Sequence, residues 1–241
     1  YQTMSETDPV RIALLVDGDS ISKWQYQAVK RTLQETDAEI SVVIRNQADQ
    51  SRSKLELLQR AIELREWTVV TLIRKLILQS SELTGEVKLN ECEFVSDADY
   101  IDCVPNTVDG WKNTLPEETV EQVAGRADVG VLFGFGVLIG EILNVFKYGI
   151  LSYHHGDFRE YRGQPAGCWE FIHEKDEVGI TLQRINNQLD AGKVAVEKKV
   201  SIEDVETYAE IRNQLYRNTD DMLSTAVSGI ELGVMEFETV N

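Results

Sequence analysis

The sequence is short of positive charge, of sulfur and of long apolar runs, and each shortage removes a class of function. Only 24 lysines and arginines stand against 41 aspartates and glutamates, a net charge of −17. A surface that acidic repels phosphate backbones, so nucleic acid is not an expected partner. The excess is spread along the chain rather than gathered in a tail, which suits a solvated surface and is compatible with a halophilic cytoplasm. No run of eighteen apolar residues occurs, and the first residues lack the basic-then-apolar order of a secretory signal. Neither a membrane partner nor export is expected, which leaves the cytoplasm as the expected compartment. Cys92, Cys103 and Cys168 stand at unrelated spacings, with no Cys-x-x-Cys pair and no ligand-spaced histidine. They read as buried thiols, and no metal site is expected. There is no internal repeat and no Pro/Ser-rich linker. The simplest partition of the 241 residues is a flexible N-terminus over 1–9, one domain over 10–232 and a C-terminal tail over 233–241.

What is present is alternation. Residues 10–16 are a near-continuous apolar run, followed by Asp17-Gly-Asp-Ser20 and a helical pattern over 21–34 with Trp24, Ala28 and Leu33 on one face. A β-branched strand over 39–44 and a helix over 52–64 continue a β-α-β-α opening, the start of a doubly wound sheet. Residues 67–78 read as helical, and 80–113 as a polar stretch with one short strand over 100–104. Further on, Pro116 opens a helix over 117–124. A buried strand over 128–133, a helix over 137–145 and a strand over 149–153 follow. The remainder reads as a helix over 166–174, strands over 179–185 and 194–200, and a helix from Ser201 with Asp204 as a capping box, restarting over 222–227.

The chemistry concentrates between Gly149 and Gly192, which hold all three histidines. A strand ending in Ser152-Tyr-His-His-Gly-Asp157, with Arg159 and Arg162 downstream and Asp190 on a second turn beside Gly192, has the makings of a histidine–carboxylate acid–base pair. Strand ends of this kind are where open α/β sheets carry their sites. Gly18 reads as a tight-turn glycine, and Asp17 and Asp19 oppose a phosphate at the helix start that follows.

Ordered motifs over 128–194 resemble the formyltransferase family that uses 10-formyltetrahydrofolate. Ser152-Tyr-His154 matches the family's Asn-x-His, Tyr161-Arg-Gly163 its loop, Gly179-Ile-Thr181 its Gly-Val-Thr strand, and Leu189-Asp-Ala-Gly192 its Leu-Asp-x-Gly turn. Phe133-Gly-Phe-Gly136 with Val137 and Leu138 resembles the loop and helix beneath the folate pterin. The resemblance implies a Rossmann-like three-layer α/β fold, a mostly parallel sheet with helices on both faces. It implies transfer of a formyl group from a reduced folate, the co-substrate, to a small-molecule amine acceptor, with no metal. In that reading His154, Asp190 and Ser152 are catalytic, Asp190 orienting His154. Phe133, Phe135, Gly136, Val137, Leu138, Leu189 and Gly192 bind the folate, and His155, Gly156, Asp157, Arg162, Gly18 and Ser20 face the acceptor.

Ser152 departs from the family asparagine, whose amide points toward the formyl oxygen; the expectation is that His155 or a water fills the gap, or that the activity has changed. The expected acceptor is phosphoribosylglycinamide, a purine-biosynthesis substrate, with an amino sugar next. The tRNA enzymes of the family carry a further C-terminal domain beyond the point where this sequence stops. A formyltetrahydrofolate hydrolase and a non-catalytic relative are the alternatives. Oligomeric state, a dimer included, is not set by these features.

Overall fold

A computed structural model describes residues 8–48, 82–161, 165–188 and 192–239. The N-terminal apolar run is β1 (Arg11–Asp17), buried throughout its interior. A turn and the short β2 (Ser20–Ser22) lead into α1 (Lys23–Glu35), which buries Trp24, Ala28, Val29 and Thr32 and returns the chain to β3 (Glu39–Asn46), parallel to β1. The helix expected over 52–64 and the segment 67–78 lie outside the described residues.

β4 (Glu86–Lys88) pairs with β2, and β5 (Asp99–Cys103) extends the sheet beyond β3. A hairpin, β6 (Asn106–Val108) and β7 (Lys112–Thr114), precedes α2 (Glu117–Val123), which Pro116 opens as its N-cap. Then come β8 (Val129–Leu132), β9 (Val137–Leu138), α3 (Ile142–Val145), β10 (Ile150–His155) and α4 (Cys168–Ile172). The chain closes with β11 (Glu177–Arg184), β12 (Lys193–Ser201), α5 (Tyr208–Arg217), α6 (Met222–Glu231) and β13 (Glu238–Thr239).

Eight strands make the main sheet, in the order β13-β12-β11-β10-β8-β1-β3-β5. The five from β10 to β5 run parallel, and β11 to β13 are antiparallel additions. Helices cover both faces, giving the α/β, mostly parallel, three-layer arrangement expected. Alternate strand residues feed two cores. Ile12, Leu14, Leu151 and Leu182 meet Val29, Leu215 and Val227, while Ala13, Leu15, Val42 and Ile150 meet Val123, Leu143 and Phe146. The expected C-terminal tail carries β13, whose Glu238 and Thr239 pair with Val194 and Lys193.

Three element assignments change, the first being 80–113, expected to hold one short strand and carrying instead β4, β5, β6 and the start of β7. The helix expected over 137–145 is replaced by β9 and a single turn, α3. The open edge of β7 takes this segment as a strand, with Ile139 N–H donating to Asn113 O at 2.9 Å, and Gly136 and Gly140 at positive φ bracket it. The helix expected from Ser201 begins at Tyr208. Ser201 ends β12, and the cap is Thr207, whose hydroxyl accepts from Glu210 N–H at 3.3 Å while the Glu210 carboxylate accepts from Thr207 N–H at 2.9 Å.

Candidate active site

Parallel strands depart in opposite directions on either side of the β1–β8 pair, and the crevice at their carboxyl ends is the place such sheets use for ligands. Residues 133–136 cross it. Gly134 allows this, because a Cβ there would stand 2.5 Å from the Asp17 backbone nitrogen. Phe135 is held at φ +66°, unusual for a bulky side chain, by anchors on both sides. Its N–H donates to Asp17 Oδ1 at 2.8 Å, its carbonyl accepts from Asn113 Nδ2 at 2.7 Å, and its ring is fully buried. Asn46 Nδ2 donates to the same Asp17 oxygen at 2.8 Å. Asp17 is therefore a clamp that fixes this loop.

Beside the loop lies a cleft of about 130 Å³, enough for the end of a ligand rather than all of one. Gly136, Val137, Leu138 and Ile139 form one wall, Leu132 and Ser152 the floor, and Gln183, Ile185 and residues 186–188 with Gly192 the other wall. Of the residues expected to bind folate, Gly136, Val137, Leu138 and Gly192 line it, whereas Phe133 and Phe135 do not: Phe133 packs edge-on against Trp24 and Phe135 is interior.

Strand β10 sorts its residues by face, since successive side chains alternate. Ser152 looks into the cleft, and His154 lies on the same side, its ring edge-on to Phe158 and its Nε2 3.4 Å from the Tyr161 carbonyl. Tyr153 and His155 point to the opposite face. His155 meets Trp24 at 5.2 Å and Tyr216 at 5.0 Å between ring centroids, and Tyr153 donates to the Thr219 carbonyl at 3.2 Å. The His155 Nε2 is buried with no hydrogen-bond partner among the described residues. Burial first, and the neighbouring His154 second, push its pKa down to about 3, so the ring is neutral. Burial likewise raises the Tyr153 phenol. His155 therefore cannot fill the gap at Ser152, because the strand's alternation turns it away from the cleft.

The remaining expected site residues are distributed. Gly156 N–H donates to Gly179 O at 2.9 Å, and Asp157 closes its own turn by accepting from Arg159 N–H at 2.8 Å while its N–H donates to the buried Glu170. Arg159 is held by Glu197 and Glu238. Gly18 makes the turn after β1 at φ +64°, its N–H donating to Asn46 O at 3.0 Å. Ser20 lines a separate, open cavity of about 720 Å³ with Asp19, Arg45, Lys88, Asn90 and Tyr100. There Arg45 is occupied by Asp19 and Asp102 and lies over the Tyr100 ring. Arg162, Leu189 and Asp190 lie outside the described residues.

A family model described as formyl transferase matches residues 10–227. The chain belongs to the formyl transferase family. Methionyl-tRNA formyltransferase of Thermotoga maritima is 25% identical over 114 residues, 47% of this chain and 36% of that protein, so the match spans little more than a third of the curated relative. Glycinamide ribonucleotide transformylase 1 of Symbiobacterium toebii shares the fold at a TM-score of 0.63 and 16% identity, over 100% of this chain and 99% of that one. The N-formyltransferase of Helicobacter canadensis, solved with folinic acid and dTDP-3-aminofucose, has a TM-score of 0.56 at 12% identity, covering 96% of this chain and 68% of that one.

In this member of the family, two kinds of residue were not marked by the sequence. Asp17 and Asn113 clamp the loop, and no pattern around Asn113 announces it. Gln183 and Thr181 stand opposite Ser152 and His154 across β10–β11, and both are buried, at 8% and 0% exposure. Gln183 Oε1 and Thr181 Oγ1 have no hydrogen-bond partner among the described residues. No local pattern marks Gln183, whose strand also carries Glu177, Thr181 and Arg184. All three cysteines are free, Cys92 and Cys103 buried, with burial raising each thiol's pKa. Among the described residues no helix is long and apolar enough to cross a membrane.

Proposed function

We propose that this protein transfers the formyl group of 10-formyltetrahydrofolate to the amine of a small acceptor, phosphoribosylglycinamide first and an amino sugar next. The observation that carries the reading is the cleft at the carboxyl ends of β8 and β10, with Ser152 on its floor and His154 on the same strand face. Its apolar wall and backbone segment 136–139 suit the flat, hydrogen-bonding ring end of a reduced folate. A bound folate supplies an activated formyl carbon.

The chain's residues then act on charge and protons. Ser152 donates toward the formyl oxygen. His154 stabilises the negative charge that develops there and moves the proton lost by the attacking amine toward the leaving nitrogen. Asp190, two residues before the cleft-lining Gly192, orients the imidazole. The open cavity lined by Ser20 is the acceptor's side, where Lys88 stands beside Arg45, itself held by Asp19 and Asp102.

A second reading, formylation of methionyl-tRNA, is favoured by the sequence matches to enzymes of that name and opposed by the net charge of −17. Incubation with ¹⁴C-formyl folate and, separately, phosphoribosylglycinamide, dTDP-amino sugars and methionyl-tRNA decides between them. Label on a small amine supports the proposal, label on tRNA selects the second reading, and label in free formate alone identifies a hydrolase. No binding of a reduced folate at low or high salt removes all three.

A further inference from the structure

Transfer of a formyl group places a full negative charge on the formyl oxygen. The amine nitrogen bonds to the formyl carbon as the carbonyl electron pair moves to oxygen; the pair returns as the bond to the folate nitrogen breaks, that nitrogen takes a proton and the new amide loses one. Donors fixed around the oxygen dominate the rate of such reactions. A single serine hydroxyl at position 152 is a thin provision.

Directly across the β10–β11 ladder from Ser152 stands Gln183. Residues opposite one another in an antiparallel pair have Cβ atoms about 4.5–5.5 Å apart on the same face. Both line the cleft. The Gln183 side chain is more than nine-tenths buried, yet its Oε1 has no hydrogen-bond partner among the described residues. It is packed over Gly192, where a Cβ would come within 2.3 Å of that oxygen. Any larger residue at 192 would displace the amide from the cleft wall. A buried carboxamide oxygen left without a partner costs stability and needs a reason. Rotation by 180° about its last bond exchanges its amino group and oxygen without steric change, so a donor can be presented at the same point.

We propose that the Gln183 carboxamide is the second donor to the formyl oxygen, acting beside Ser152 from the neighbouring strand. This rests on the formyl-transfer reading above. It also assigns the serine–glutamine pair as a unit: an amide lost from position 152 is supplied across the ladder by position 183.

The test reads the donor itself. The infrared carbonyl stretch of ¹³C-formyl 10-formyltetrahydrofolate is recorded free and bound to the wild type, Gln183→Leu and the double variant Ser152→Asn/Gln183→Leu, with thermal melting to confirm that each is folded. Binding to the wild type shifts the stretch to lower frequency. Gln183→Leu loses most of that shift and lowers kcat about 10²-fold with KM for the folate nearly unchanged, and the double variant regains most of the shift and at least about tenfold of the rate. A merely structural glutamine moves melting and KM, not the carbonyl frequency. If Gln183→Leu keeps the full shift, or Ser152→Asn fails to restore it, the assignment of Gln183 is overturned while the formyl-transfer reading stands. If the wild type does not bind the folate, both fall. Should Gln183→Leu fail to fold, Gln183→Glu, which keeps the shape and replaces the amino group by oxygen, makes the same prediction.

Discussion

Two adjacent histidines on β10 show how one strand serves two purposes. His154 lies on the face that carries Ser152 into the cleft, with a backbone carbonyl at 3.4 Å and a ring edge on Phe158. His155, one residue on, lies in an aromatic cluster with Trp24, Tyr153 and Tyr216 and is driven neutral by burial. The residue type is the same and the chemistry is opposite. What separates them is the two-residue period of a strand, one side of which supports a site while the other anchors α1 and the segment around Tyr216 to the sheet.

The comparison breaks first at Trp24, whose ring contacts Phe133, Tyr153, His155 and Tyr216. Trp24→Ala is expected to cost about 3–5 kcal/mol in denaturant unfolding and to leave folinic acid binding by the folded fraction intact. A loss of binding with stability unchanged would reverse the two faces.

Asp17→Ala comes next. It strands the Phe135 N–H and the Asn46 amide together, and about 2–3 kcal/mol of stability goes with them. Folinic acid binding, followed by calorimetry, is expected to weaken because the wall over 136–139 is released.

The pH dependence is smaller and has a definite sign. His155 stays neutral in the folded protein down to about pH 3, while the unfolded chain protonates it near 6.5. Its contribution is therefore complete above 6.5 and is lost as the pH falls from 6.5 toward 3. Between pH 6.5 and 5 this amounts to about 1–2 kcal/mol. Carboxylates held low by partners, such as Asp128 beside Arg11, also release stability in acid, so the informative quantity is the difference between wild type and His155→Phe. Unfolding curves near neutrality and near about pH 5 should show the variant losing less. The smallest effect is expected for Tyr153→Phe, about 1 kcal/mol for one hydrogen bond to the Thr219 carbonyl.

Much of the frame was legible because parallel strands buried on both faces are continuous apolar runs: β1, β3 and β8 are each visible in the sequence. The site was legible in part. Ending the strand at Tyr153 hid the alternation that continues through His155 and sends that ring to the other face. Local periodicity also misread residues 137–145, where pairing with a distant strand edge outweighs helical spacing. The cap at Thr207 lost to Ser201 in the sequence because both precede an acid, and only the extension of β12 to Ser201 decides between them. Gln183 acquires meaning only from the residue across the ladder, a relation between positions 31 apart that no local pattern contains.

The central claim, that the Ser152–His154 face carries the chemistry, is tested most directly by single-turnover formyl loss from labelled 10-formyltetrahydrofolate, compared in His154→Ala and His155→Phe, each shown to be folded. The account predicts a fall of about 10²–10⁴-fold in the first and a rate within a few-fold of wild type in the second; equal losses in both, or the larger loss in His155→Phe, would contradict it.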